Sequence, residues 1–209
     1  MSNSESSAKI AKYLLETGAV KFSPDDPFTW ASGIKSPIYC DNRVLLSYPN
    51  IREVIIDNFV LRIKETYPEV EAITGVATAG IAHGALIAAE MNLPFAYVRP
   101  EPKKHGMKNQ IEGKLLPQSK VVVIEDLIST GMSSLKAVDA LRESGVEVLG
   151  LGSIFTYGFK KSKDAFKESN CSYFTLTVLD DLLVAANEIN YLTPIQIDKT
   201  KSMLQAVDN

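Results

Sequence analysis

Cysteine is scarce in this sequence: Cys40 and Cys171 are the only two, far apart and in no metal-ligand spacing. A disulfide framework and a zinc ribbon are therefore not expected, and two free thiols suit a reducing compartment. Long hydrophobic runs are missing too, with no uninterrupted apolar stretch near the ~18 residues that cross a bilayer. Residues 1–7 are polar and lack the apolar core of a secretory signal. An excess of basic charge is also absent. Lys and Arg number 22 against 25 Asp and Glu, a net charge of −3, whereas a general nucleic-acid binder is normally basic. No repeat, low-complexity tract or long linker interrupts the chain. The expectation is a cytoplasmic protein that engages neither membrane nor nucleic acid.

What is present suits a single domain over 1–209. A mass of 22.9 kDa scales to about 9,600 Å² of folded surface against roughly 33,000 Å² unfolded, enough burial for a core without staples. Ile10, Tyr13, Leu14 and Leu15 recur at helical spacing before Gly18. Residues 22–42 are rich in turn formers and aromatics, which suits an ordered lid or short hairpin. Apolar periodicity predicts a helix over 51–67. From there strands and helices alternate: strand 70–76, a small-residue turn 77–80, a helix through 89, strand 95–98, strand 121–125, helix 133–143, strand 146–155 and strand 173–178. The tail from Asp180 reads as helical. This alternation predicts an α/β fold, a central parallel sheet with helices on both faces.

Two segments stand apart. Residues 99–114 show no hydrophobic periodicity, and Pro100, Pro102, Gly106 and Gly113 oppose regular structure. Arg99, Lys103, Lys104, Lys108 and Lys114 against Glu101 and Glu112 give this stretch a charge of +3 in an acidic chain. A long loop of that sign reads as an anion-binding flap. The second segment, 121–134, runs Val-Val-Val-Ile-Glu-Asp-Leu-Ile-Ser-Thr-Gly-Met-Ser-Ser. An apolar strand ends in two carboxylates, and a short polar turn leads into a helix. Ligands of open parallel sheets bind at the carboxyl ends of strands, and a helix amino terminus there suits a phosphate. Ser129 and Thr130 add hydroxyls, and Gly131 lets the backbone approach. Glu125 and Asp126 would repel phosphate, so sugar hydroxyls or a metal–diphosphate suit them better. The plainer alternative is that Ser129 or Ser133 caps the helix while the acids sit in solvent. A Walker loop at 75–80 is excluded, because Ile81 and Ala82 stand where Lys and Ser/Thr are required.

Residues 124–131 closely resemble the phosphoribosyl-diphosphate (PRPP) signature of type I phosphoribosyltransferases. Residues 28–43, Phe-Thr-Trp-Ala-Ser-Gly-Ile-Lys-Ser-Pro-Ile-Tyr-Cys-Asp-Asn-Arg, are similar to the amino-terminal region of the orotate phosphoribosyltransferases. Residues 99–106, Arg-Pro-Glu-Pro-Lys-Lys-His-Gly, resemble that family's mobile catalytic loop. With the turn 75–80, the resemblance spans most of the chain in the family's order. It implies the type I phosphoribosyltransferase fold, with a small hood from about 1–45 plus the carboxyl-terminal tail. It also implies transfer of phosphoribose from PRPP to orotate, giving orotidine 5′-monophosphate and diphosphate in pyrimidine (UMP) biosynthesis.

By the same resemblance, Lys103, His105 and Asp126 are the catalytic residues. Arg99, Lys103 and His105 would attend the diphosphate, Glu125 and Asp126 the ribose hydroxyls, and Leu127, Ile128, Ser129, Thr130, Gly131, Met132 and Ser133 the 5′-phosphate. Ser129 would also touch orotate. Mg²⁺ would be held mainly by the diphosphate rather than by protein ligands, and loop 99–114 would complete the site of the neighbouring subunit in a homodimer. Some family cations are missing: Ala31, Ala79 and Pro100 stand where many members have lysine, and Phe-Thr-Tyr-Gly at 155–158 lacks an orotate-site arginine. Lys35, Lys104 and Lys108 are available to compensate. His83 reads as a helix-face residue, Trp30 as a packing residue, and both cysteines as inert. A purine phosphoribosyltransferase would share the PRPP turn but not 28–43. A nucleotide-sensing regulator would not need the basic flap.

Overall fold

The computed structural model describes residues 3–30, 33–101 and 110–208. Helix α1 (Asn3–Glu16) buries Ile10, Ala11, Leu14 and Leu15 along one stripe, and Gly18 turns the chain at a φ of +69°. Strand β1 (Val20–Phe22) pairs antiparallel with β4 (Ile38–Cys40), and β2 (Phe28–Thr29) with β3 (Lys35–Ser36). The expected hairpin region is thus two small ribbons. A 3-10 helix (Asn42–Ser47) follows, its start capped by the Asp41 side chain accepting from the Arg43 amide. Helix α2 (Pro49–Thr66) opens on a proline, whose missing N–H costs nothing in a first turn.

The sheet then assembles. Strand β5 (Ala72–Val76) leads to α3 (Ala79–Met91), β6 (Phe95–Val98), β7 (Ile111–Glu112), β8 (Lys120–Ile128), α4 (Met132–Glu143), β9 (Glu147–Thr156), α5 (Lys160–Glu168), β10 (Tyr173–Val178), α6 (Leu179–Glu188) and α7 (Pro194–Asp208). The strand order is β10-β9-β8-β5-β6-β7. All neighbours are parallel except the edge strand β7, which runs antiparallel to β6. After β5 the chain steps one way to β6 and then returns to place β8 on the other side. The boundary between β5 and β8 is therefore where strand order reverses, the place such sheets hold ligands.

Alternation along β8 builds two cores. Val122 and Ile124 face α1, α2 and α3, while Val121 and Val123 face α4 and α5. Amino- and carboxyl-terminal segments also meet: the Phe22 and Tyr191 rings lie 6.3 Å apart edge-on, and Asp25 accepts from Gln196 and Lys199. Among the described residues no helix is long and apolar enough to cross a membrane.

Two expectations change. Strand 121–125 extends to Ile128, because Leu127 and Ile128 keep pairing with Phe155 and Thr156 of β9; the acids lie inside the strand rather than at its end. The segment 99–114 is not wholly irregular, since Ile111 and Glu112 add an edge strand and the Arg99 amide donates to Gln110 at 2.9 Å. Helix α5 was not among the expected elements; Ser162 and Phe166 are its buried residues.

Glycines let α3 lie against the sheet. A Cβ at Gly80 would sit 2.3 Å from the Ile124 carbonyl oxygen, and one at Gly75 would sit 2.6 Å from the Gly80 carbonyl oxygen. Backbone cannot yield there as a flexible side chain could. Gly80→Ala is expected to lower the thermal midpoint by roughly 3–10 °C, the range of overpacking costs in a chain of this size. Gly145→Ala, at a φ of +84° but in open space, is expected to cost less than Gly80→Ala. Calorimetry of the two variants checks the order.

Candidate active site

The 121–134 segment places its chemistry through three local choices. Val121–Ile124 are fully buried, so the strand cannot slip without exposing its core. Gly131 follows at a φ of +79°, and a Cβ on it would meet the Phe166 ring at 2.8 Å. Only glycine suits that turn. Helix α4 then begins with Gly131 as its N-cap and no side-chain capping bond. Neither Ser129 nor Ser133 caps the helix, so the plainer alternative fails on that point. The hydroxyls of Ser129, Thr130 and Ser133 make no intramolecular hydrogen bond among the described residues. Unengaged hydroxyls and first-turn N–H groups along this turn are available as donors for an anion. Met132 is exposed beside them. Helix α3 also starts without a side-chain cap, just after the cis Ala77–Thr78 peptide.

The carboxylates are not in solvent. Glu125 is 5% exposed, and its Oε1 accepts from the Asp126 amide at 3.1 Å while the Ser134 hydroxyl lies 3.4 Å from Oε2. Asp126 is half-buried beside Glu125, within reach of the charges of Arg43 and Asp41. Burial first, then the Asp126 charge, pushes the Glu125 carboxyl well above its ordinary range. Burial also raises Asp126, opposed by the Glu125 carboxyl and by Arg43. The more deeply buried Glu125 therefore keeps its proton to higher pH, and Asp126 is the readier anion. As paired oxygens they can accept hydrogen bonds from neighbouring hydroxyls, such as those of a sugar.

Sequence reasoning missed Asn42. It is fully buried, and its Nδ2 donates to the Asp126 carbonyl at 2.8 Å, tying the 3-10 helix to the acid strand. The Cys40 thiol donates to Asn42 Oδ1 at 3.4 Å. Burial, followed by Asp126 and Asp41, raises the Cys40 thiol well above its normal value, so it stays protonated and inert as expected. His83 is fully buried in α3. Burial lowers its pKa to about 4 against a smaller opposing pull from the Asn42 backbone. Neither ring nitrogen attains hydrogen-bonding geometry, so the imidazole is a neutral core group. Buried polar residues of this kind carry no periodic signal that sequence could reveal.

Two cavities flank the motif. One of about 260 Å³ lies between the ends of β5 and β6 and the first turn of α4, and includes Ala77, Arg99, Glu101, Ser133 and Lys136. Arg99 is partly exposed there, with its guanidinium 3.4 Å from Glu112. The other, about 200 Å³, is lined by Trp30, Cys40, Leu127, Ser129 and Tyr157. Trp30 is both packing residue and wall: its indole N–H donates to the Ile38 carbonyl at 3.0 Å. A larger cavity of about 530 Å³ lies at the far end of α4 and gathers none of the motif residues.

Of the expected site residues, the structure brings Glu125 through Ser133 together with Arg99 nearby. Lys103 and His105 lie outside the described residues, as do Ala31, Lys104 and Lys108. Lys35 is exposed on β3. Thr156, near the missing arginine, is buried and donates its hydroxyl to the Ile128 carbonyl at 3.1 Å. No group of three or more metal-ligating side chains forms among the described residues.

The Glu125 shift sets a pH dependence. Its folded pKa lies above the unfolded value, so its stabilising contribution is full below about pH 4.5 and is lost as pH rises through the folded value. Glu125→Gln is expected to remove that loss. At pH 8 the variant should melt above the parent. The gap should close toward pH 4.5. A gap that widens on acidification would contradict the raised pKa.

Residues 45–188 match the phosphoribosyl transferase domain family. The chain is 54% identical over 185 residues to an orotate phosphoribosyltransferase of Listeria innocua, covering 88% of each. It is 51% identical over 200 residues to one of Streptococcus pneumoniae, covering 96% of this chain and 95% of that one. Among solved structures, the orotate phosphoribosyltransferase of Aeropyrum pernix matches with a TM-score of 0.75 at 29% identity, covering 88% of this chain and 99% of that chain. Fold, motif and relatives agree, and the chain belongs to the orotate phosphoribosyltransferases within the phosphoribosyl transferase domain family.

Proposed function

We propose that this chain is a cytoplasmic enzyme that transfers phosphoribose from PRPP to orotate, giving orotidine 5′-monophosphate and diphosphate for pyrimidine nucleotide synthesis. The observation that carries the reading is the uncapped start of α4, with three free hydroxyls beside a buried carboxylate pair, where strand order reverses. In the reaction the anomeric C–O bond breaks with its electron pair leaving on diphosphate, and the base nitrogen forms the new C–N bond as its proton departs.

The residues divide this work. Ser129, Thr130, Ser133 and the first-turn amides of α4, with the backbone of Leu127, Ile128, Gly131 and Met132 shaping the turn, hold the 5′-phosphate. Glu125 and Asp126 accept from the ribose hydroxyls and orient the anomeric carbon, with the Asp126 charge favouring the cationic sugar of the transition state. Arg99, Lys103 and His105 attend the departing diphosphate. The donor set near the acids offers one or two carboxylates rather than a cage. That suits a magnesium ion that keeps waters and takes its other oxygens from a diphosphate. When bound, the ion would neutralise charge on the leaving group. The protein itself must exclude water, and the segment 99–114 is assigned that task on a homodimer partner's site.

Orotate absorbance should fall only when PRPP and Mg²⁺ are both present, while hypoxanthine, xanthine and adenine remain unconsumed. Asp126→Asn and Lys103→Ala should each lower turnover by roughly 100-fold or more with the fold retained. Refolded mixtures of these two variants should regain about a quarter of parental activity, because hybrid dimers of a two-fold assembly carry one intact site. Consumption of a purine instead, or near-parental turnover in both variants, would overturn the reading. Absence of recovery in the mixture would place the loop in its own subunit's site.

A further inference from the structure

The small cavity beside Ser129 contains a polar group that has no hydrogen-bond partner among the described residues. Tyr157 is 6% exposed, and its ring is held on three sides. Phe155 meets it edge-on at 5.0 Å, Phe159 stacks at 5.1 Å, and Trp30 lies tilted at 5.5 Å. Its backbone amide donates to the Ile128 carbonyl at 3.3 Å, which fixes the residue beside the end of β8. Ring and backbone are thus set before any ligand arrives. The hydroxyl meets no hydrogen-bond partner among the described residues, yet it is not sealed from solvent, so it opens on the cavity.

The other polar groups around that cavity are largely committed. The Trp30 indole N–H is taken by the Ile38 carbonyl and the Cys40 thiol by Asn42. Among the described residues, Ser129 and Tyr157 remain as free hydroxyls and no lysine or arginine lines the wall. A slot of about 200 Å³ with aromatic sides and two hydroxyls suits one flat, oxygen-bearing ring. Its position adjoins the motif proposed to hold phosphoribose, where a base must approach the anomeric carbon.

The geometry points to Tyr157 as a specificity-determining residue for the acceptor base, its hydroxyl donating to an oxygen of the pyrimidine while its ring and Trp30 form the walls of the slot. This inference rests on the proposed orotate phosphoribosyl transfer. Burial first, with a smaller push from the neighbouring Cys40 and Asp126, raises the phenol well above its ordinary pKa, so it acts as a donor throughout the working pH range. It takes a place where a cation would bind the anionic base more strongly but would also attract phosphate.

Tyr157→Phe tests the assignment, because it removes only an oxygen with no protein partner. Orotate KM should rise roughly ten- to hundredfold, the range for a hydrogen bond to a charged ligand. PRPP KM should stay within about twofold and the melting midpoint within about 2 °C, neither of which a packing defect would spare. An orotate KM within about twofold of the parent's would overturn the role of Tyr157 while leaving the proposed reaction intact. A parent enzyme that consumes no orotate would overturn both.

Discussion

The structure depends on β8 being gripped on both edges and both faces. Its parallel pairing with β5 on one side and β9 on the other fixes Val121–Ile124 in a fully buried register. Continuation of the β9 pairing through Leu127 and Ile128 carries two carboxylates along with it. Burial of Glu125 is unfavourable alone. It persists because four preceding apolar residues and the Asp126 and Ser134 donors hold it there. A one-residue slip would exchange the faces of every side chain on the strand, moving Glu125 away from α4.

Around that strand the two faces have separate roles. On the α4 side, glycine at 131 and the absence of a cap leave amides and hydroxyls free. On the other side the 3-10 helix reaches β8 through Asn42, and the amino-terminal ribbons bring Trp30 and Cys40 beside Ser129. The proposed phosphate and base sites would therefore have different neighbourhoods joined at one turn. Gly75 and Gly80 bring α3 close enough to shape the third side.

Much of this was legible in the sequence because it is written in short-range chemistry. Alternating apolar stretches gave the sheet, and the acid pair with the Ser-Thr-Gly two residues beyond it pointed to the family that the match shows. The strand's extension through Asp126 was not legible, since Leu127 and Ile128 looked equally suited to a turn until β9 supplied partners. Asn42 and Tyr157 were missed for a related reason. Their importance comes from elements 84 residues away in one case and from a cavity assembled by four segments in the other. Thr156 shows the reverse: a position where a missing arginine drew attention is occupied by a side chain fully engaged with β8.

The bare beginning of α4 has a thermodynamic consequence. A helix without a cap is less secure at its first turn, and the turn here is also a point where side-chain hydroxyls lack partners. A phosphate monoester bound there as proposed would supply those acceptors only in the folded chain, so ligand binding and local folding would become linked quantities. Amide hydrogen exchange at 129–134 would then report occupancy of the cradle directly.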